Sequence, residues 1–272
     1  MTRSLASLGA MCGLLLLLLL LLMGGCQGTG VQFGEDSIVN KIFPTTQVNP
    51  AELARDPYDP DARYRGTVRL TMELLEPDER ILAIFRDNLQ DEYAAVRAAA
   101  ARGLGIHGVA ADGALLARAL DDPEPMVRRA AAIGLQRIHE PSATGRLLEL
   151  IDPENEPDQN VRVEAAIALG QYPQSDVVTG LLTSLRSDTE QSLAVHAAVV
   201  RSLELLTGQD FGLDFIAWQR WIDQNGSWFA DQQTYVYPVF TRSRAWWEYL
   251  PWMPLPPTET SSTPVGLTRT PR

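Results

Sequence analysis

The chain has 272 residues, of which 45% are apolar and 21% charged, so most of it can fold around a buried core. Its net charge of −11 argues against a nucleic-acid-binding protein, because phosphate recognition requires a basic face. The two cysteines and three histidines are scattered along the sequence, which argues against a structural zinc site, since such a site needs four ligands.

The N-terminus is predicted to be an export signal. Arg3 precedes an uncharged run with nine consecutive leucines, from Leu14 to Leu22, and small residues end the run. The uncharged residues 4–25 would span about 33 Å as a helix, which is also long enough for an uncleaved signal anchor. Both interpretations place the rest of the chain outside the cytoplasm and attach it to a membrane.

The end of this run resembles a lipoprotein processing site. Gly24-Gly25-Cys26 matches the lipobox of bacterial lipoproteins, whereas Met23 stands where that family usually has leucine. The resemblance implies a signal peptide at 1–25 and lipid attachment at Cys26, with several acyl chains because a single chain binds a membrane only marginally. Gln27 in place of an aspartate favours, by the same analogy, the outer membrane. The body of the protein would then lie in the cell envelope, facing the periplasm or the exterior.

Residues 26–56 are predicted to be a tether between this anchor and the folded body. The segment is rich in Gly, Pro, Asn and Thr, and it contains one short helical candidate near Pro50 to Arg55.

A repeat dominates the rest of the chain. A small or β-branched apolar residue followed by a basic residue recurs five times, and a leucine stands seven residues after each basic residue. Nineteen residues after it comes a leucine in four units and Phe215 in the fifth, and an acid precedes the basic residue by six in four units. The pairs are Ala62-Arg63, Val96-Arg97, Val127-Arg128, Val161-Arg162 and Val195-His196.

Each unit is predicted to be a pair of helices. In the third unit, Val127, Ala131 and Leu135 lie at helical spacing and form an apolar stripe, which Pro141 ends. A second apolar helix follows until Asp152-Pro153. Such a pair cannot bury its stripes alone, so the units must stack into an all-α solenoid.

From 57 to 226 the sequence resembles the short bacterial HEAT-type repeats, with an acid, then Val-Arg, then an alanine-rich helix. The resemblance implies an α-solenoid of about five helical hairpins and a structural ladder of ion pairs. It also extends to bilin lyases, which share the repeat framework. The ladder residues would be Arg97, Arg128, Arg162, Asp91, Asp122 and Glu156.

The solenoid is predicted to end in an aromatic cap helix. Gly208 suits a helix C-terminus that requires positive φ, and Asp214 suits the N-cap of the last helix. Trp218 and Trp221 lie three residues apart on that helix and would cover the open end of the core.

The sequence after the cap divides into an aromatic and Pro-rich extension, 227–257, and a Ser/Thr/Pro-rich tail, 258–272, predicted to be disordered. The extension has two interpretations. Its aromatic residues pin it back onto the solenoid, or they form an exposed docking strip in which Trp246, Trp247 and Trp252 contact a partner.

No catalytic motif, cofactor-binding pattern or metal site is apparent. His139-Glu140 is a lone pair at a predicted helix end, where a solvated histidine is the simpler interpretation. We therefore expect a non-catalytic, membrane-anchored scaffold that binds other proteins. Alternatives are a lyase-like protein handling a chromophore or small ligand, and a purely structural envelope component. The candidate partner-binding residues on the repeat helices, which could equally be solvated surface, are Arg102, Arg129, Arg137 and Arg201.

Overall fold

The computed structural model describes residues 48–73, 78–186, 192–226, 228–229, 235–240 and 259–267. All of them belong to one compact unit. The helices in this part of the chain are α1 (Pro50–Leu53), α2 (Pro60–Glu73), α3 (Glu79–Asn88), α4 (Ala94–His107), α5 (Gly113–Ala119), α6 (Pro125–Leu135), α7 (Thr144–Leu150), α8 (Gln159–Leu169), α9 (Ser175–Arg186), α10 (Leu193–Thr207) and α11 (Phe215–Gln224).

The even-numbered helices form one layer, in which α2, α4, α6, α8 and α10 each contact the next. The odd-numbered helices form the second layer, where α7 contacts α9 and α9 contacts α11. Two short 3-10 turns, Ala110–Asp112 and Pro141–Ala143, lead into α5 and α7. Five stacked helical hairpins, from α2–α3 to α10–α11, confirm the predicted α-solenoid. None of the helices in the described ranges is long and apolar enough to span a bilayer.

The in-phase leucines form the core of this stack. The leucines that stand seven and nineteen residues after the basic residue of each unit are all buried. The small or β-branched residue that precedes each basic residue is buried as well. Phe215, at the corresponding position of the last unit, is only partly buried, because no sixth hairpin covers it in the described part of the chain. The buried leucines are Leu70, Leu104, Leu135, Leu169 and Leu203 in the even layer, and Leu82, Leu116, Leu147 and Leu181 in the odd layer.

Glycine permits the closest approach within the even layer. A Cβ atom on Gly105 of α4 would lie 2.5 Å from the Cα atom of Gly134 in α6. Alanines around this crossing, including Ala101 and Ala131, are fully buried. The spacing of α4 and α6 is therefore set by backbone contact, which only small residues allow.

The solenoid begins earlier than predicted. The sequence predicts that residues 48–56 belong to the tether, but α1 packs against α2 and Ala54 is fully buried. Asn88 of α3 donates from Nδ2 to the carbonyl oxygen of Ala54 at 2.9 Å. This hydrogen bond and the burial of Ala54 make α1 a cap on the first hairpin, so the boundary at residue 56 is wrong.

The predicted cap at the other end is confirmed. Gly208 ends α10 with φ of 73°, and the side chain of Asp214 accepts from the backbone N–H of Ala217 at the start of α11. Trp218 is fully buried and donates from Nε1 to the carbonyl oxygen of Gly212 at 2.9 Å. Phe211 packs edge-on against the Trp218 ring at 4.9 Å, so aromatic side chains close the stack.

The chain after the cap returns to the solenoid. Strand β1 (Tyr237–Phe240) pairs antiparallel with β2 (Glu259–Ser262). Beyond β2, the backbone N–H of Val265 donates to the carbonyl of Arg137 at 2.7 Å, and the N–H of His139 donates to the carbonyl of Val265 at 2.8 Å. The prediction of a disordered tail from 258 is wrong for residues 259–267, because these backbone hydrogen bonds and the burial of Pro264 offset the entropy of ordering.

Candidate partner-binding site

The predicted arginine ladder is present and joins each hairpin to the following one. Arg97 donates from Nε and Nη2 to the two carboxylate oxygens of Asp122 at 2.7 and 2.9 Å. Arg128 does the same to Glu156 at 2.6 and 2.8 Å. The Nη1 group of Arg97 reaches back to the carbonyl oxygen of Asp91, and that of Arg128 to the carbonyl oxygen of Asp122. The ladder thus satisfies backbone groups as well as charges, which makes its role structural.

Two ladder positions differ from the prediction. Asp91 pairs with Arg63 of α2, at 2.6 Å between Nε and Oδ2, because each arginine binds the acid of the next unit. Arg162 pairs with none of the three predicted acids; its Nη1 donates to the carbonyl oxygens of Glu156 and Pro157. The acid in the next unit of the sequence register is Glu190, which lies outside the described residues.

A different set of repeat positions faces away from the core. Consecutive helical residues are turned by about 100°, so the residue after each ladder arginine projects beside the ladder. The residue five positions after the arginine is four residues beyond the one just described, so it lies on the same face of the helix. In the first three units these positions hold Tyr64 and Val68, Ala98 and Arg102, and Arg129 and Ile133.

These residues line a groove of about 450 Å³ over α2, α4 and α6. Helix α4 contributes alanines to it, while α2 and α6 contribute longer side chains on either side. Tyr64 is 43% exposed and Met126, next to the N-terminal Pro125 of α6, is 51% exposed. An apolar surface with exposed large side chains and small residues between them is typical of a site that binds an apolar side chain of a partner.

The groove has a positive border. Arg102 and Arg129 lie on its wall, and Arg129 contacts the carboxylate of Glu164 only at 3.5 Å. Two of the four candidate arginines therefore do share one surface. Arg201 is exposed on α10 and does not line the groove.

Arg137, the remaining candidate, is not a solvated surface residue. Its guanidinium lies over the ring of Tyr237 in β1, 5.2 Å from the ring centre. Burial lowers the pKa of Arg137 below its ordinary value, and the positive charge of Arg102 adds to this effect. Tyr235, two residues before Tyr237, is itself buried, and burial raises the pKa of its hydroxyl group. The chain after the cap thus contacts the solenoid beside the groove.

The aromatic extension is only partly described. Trp228 donates from Nε1 to the carbonyl oxygen of Asn225 at 2.9 Å and packs against the core. For this residue the interpretation of a segment pinned to the solenoid is correct. Trp246, Trp247 and Trp252 lie outside the described residues, as does Cys26.

Two of the three histidines have structural surroundings. His139 is not the solvated residue that the sequence suggested, because its ring stacks on Tyr172 at 4.8 Å and its Nδ1 lies 3.1 Å from Oε1 of Gln171. His107 contacts the carbonyl oxygen of Thr71 in the neighbouring helix α2 through Nε2. Within the described ranges no three His, Cys, Asp or Glu side chains come together as a metal site would require.

Sequence reasoning missed an ion pair in the odd layer. Arg86 of α3 donates from Nε and Nη2 to the carboxylate of Asp112 at 2.6 and 3.2 Å, and Asp112 also accepts from the backbone N–H of Val109. This pair has no counterpart in the repeat register. The groove residues Tyr64 and Met126 were missed as well, although comparing the exposed positions that follow each ladder arginine would have found Tyr64.

The HEAT-repeat family profile matches residues 113–204, which run from α5 into α10. A comparison with curated proteins found no match. HEAT repeats in general indicate a non-enzymatic scaffold. The matched residues, together with the stacked helical hairpins, support a HEAT-repeat protein.

Proposed function

We propose that this protein is a non-catalytic HEAT-repeat scaffold that binds other proteins outside the cytoplasm while attached to a membrane by a lipid on Cys26. The observation that carries the proposal is the open groove over α2, α4 and α6, with Tyr64 and Met126 exposed on it. Apolar side chains that are exposed together along one groove are typical of an interaction site, and flexible methionine adapts well to a partner surface.

The membrane attachment rests on the N-terminal sequence. The leucine run and the segment Gly24-Gly25-Cys26 resemble those of bacterial lipoproteins, which are lipid-modified at this cysteine. A tether from this anchor would hold the solenoid near the membrane, where a partner protein could be captured. Outer-membrane location is part of the proposal, on the analogy of Gln27.

Site-specific photo-crosslinking in cells tests the binding role. A photo-reactive amino acid replaces Met126 in the groove or, as the control, Arg118 on the exposed side of α5. We expect defined adducts at position 126 that are absent at 118 and that disappear when Tyr64→Glu is added. Adducts of equal pattern at both positions, or none at 126, would refute a groove-directed scaffold and leave the purely structural envelope component.

The anchor is tested separately. Cells that express the chain or its Cys26→Ala variant are fed an alkyne-bearing fatty acid, and their membranes are fractionated. We expect fatty-acid label and outer-membrane recovery for the unchanged chain and loss of the label for the variant. An unchanged chain that is recovered in the membrane without label would favour the uncleaved signal anchor.

A further inference from the structure

The acidic side chains beside the groove already have hydrogen-bond donors. Asp158 caps α8, where its Oδ1 accepts from the backbone N–H groups of Asn160 and Val161 at 2.8 and 3.2 Å. The partial positive charge of the helix N-terminus further offsets its negative charge. Glu164 accepts from Nε2 of Gln136 at 2.8 Å. These carboxylates therefore leave little unsatisfied negative charge on this face.

The arginines beside the groove are in the opposite situation. Neither Arg102 nor Arg137 forms an ion pair or a side-chain hydrogen bond with any described residue. Arg137 is partly withdrawn from water by Tyr237, and its charge lies near that of Arg102. Two neighbouring positive charges, one of them partly desolvated, are stabilised when a carboxylate approaches them.

The contrast with the ladder is informative. Arg63, Arg97 and Arg128 each hold the carboxylate of the next unit in a two-point contact. Arg102 and Arg137 have no such contact with a described residue, and Arg102 is exposed on the wall of the groove. The protein is acidic overall, with a net charge of −11. An anionic segment is therefore attracted preferentially to a surface where arginines are in local excess.

We infer that the groove binds an extended protein segment in which carboxylate side chains accompany apolar ones, with Arg102 and Arg137 contacting the carboxylates and Tyr64 and Met126 contacting the apolar side chains. This inference rests on the proposed function and specifies the chemistry of its partner. A planar guanidinium matches a carboxylate with two parallel hydrogen bonds, and a basic segment would meet repulsion at the same place.

Selection from a library of random twelve-residue peptides tests the inference. The full-length chain, purified in detergent, is the target, and selected peptides are synthesised with a fluorophore for anisotropy titration. We expect the selected sequences to be enriched in Asp and Glu next to aromatic or aliphatic residues. Their affinity should fall about tenfold or more in the Arg102→Ala/Arg137→Ala variant and should weaken with added salt.

Two variants separate charge recognition from folding and from net charge. Arg118→Ala/Arg220→Ala also removes two arginines, both of them exposed, from α5 and α11 and should leave the affinity unchanged. Arg102→Ala alone leaves the contact between Arg137 and Tyr237 intact and should still weaken binding severalfold.

The outcomes distinguish the inference from the function beneath it. The inference would be overturned if the selected peptides lack acidic residues, or if they bind the arginine variants with the same affinity as they bind the control variant. If these peptides nevertheless lose affinity in Met126→Glu, the scaffold role still stands. If no selected peptide depends on Met126, both the inference and the groove-directed function fail.

Discussion

Arg128 of α6 donates two hydrogen bonds to the carboxylate of Glu156, from Nε to Oε2 at 2.6 Å and from Nη2 to Oε1 at 2.8 Å. The side chain of Arg128 is 11% exposed and that of Glu156 is 1% exposed, so the pair is largely removed from water. Glu156 also accepts from the backbone N–H of Asp158, at the N-cap of α8. The pair therefore links the third hairpin to the start of the fourth.

Removing one partner of this pair should be strongly destabilising. We expect Arg128→Ala to lower the free energy of unfolding by about 3–5 kcal/mol, because Glu156 would remain buried without its counter-charge. Thermal melting measured by circular dichroism checks this value. The matched control is Arg118→Ala, an exposed arginine on α5, whose melting temperature should change little. In Arg128→Met/Glu156→Leu the loss should be much smaller, since both buried charges are gone; a double variant as unstable as the single one would contradict this account.

The ladder also predicts how stability depends on pH. Burial alone would raise the pKa of Asp122, but hydrogen bonds from Arg97 and from the backbone N–H of Glu124 outweigh it, so the pKa lies below the ordinary value of 3.8. A lowered pKa in the folded state gives stability that is present above the unfolded pKa and lost as pH falls through the folded pKa.

We therefore expect Asp122→Asn to lower the melting temperature by a constant amount from pH 7 down to about pH 5, and by progressively less below about pH 4, where Asp122 itself becomes protonated. Melting curves of both proteins across this range give the difference. A difference that already shrinks near pH 6 would mean that the pKa of Asp122 is raised and that Arg97 does not hold its charged form.

The helix crossing in the even layer gives a prediction about packing. Gly105→Ala should destabilise the fold by about 1–3 kcal/mol, because its methyl group would collide with the backbone of Gly134 and push α4 and α6 apart. Gly145→Ala in α7 is the control, since no neighbouring atom lies within 4 Å of the added methyl group. There the higher helix propensity of alanine should stabilise by about 0.5–1 kcal/mol. Chemical denaturation of both variants measures the contrast, and equal effects would show that the crossing is looser than described.

The parts of the fold that could be predicted are those that depend on short-range patterns in the sequence. Leu104 and Leu135 are buried because helical spacing and repeat register both place them in the core. The register also located Asp122 and Glu156, but it did not reveal that each acid accepts from the arginine of the preceding unit, which depends on how neighbouring hairpins are offset. Arg63 was missed for the same reason.

The groove and the returning tail depend on contacts between distant parts of the sequence. From the sequence, Arg137 is expected to be one more arginine on an exposed helix face. Its contact with Tyr237, which distinguishes it from Arg102, is visible only in the structure. His139 reads as a solvated helix end because neither Tyr172 nor Val265 is close to it in sequence. Ser/Thr/Pro-rich composition predicts disorder, and it cannot indicate that backbone hydrogen bonds to another segment will order a few of its residues.

The return of the tail to the solenoid is itself testable. Val265→Pro removes the N–H group that donates to the carbonyl of Arg137, and it should release residues 263–267 while leaving the helices folded. Hydrogen exchange measured by mass spectrometry should show lost protection at His139, whose N–H donates to the carbonyl of Val265, and unchanged protection in α8. Val265→Ala keeps the backbone hydrogen bonds, and because the side chain is already 41% exposed, this control should retain the protection. If both variants exchange at His139 like the unchanged chain, the pairing of Val265 with Ile138 does not hold the tail in solution.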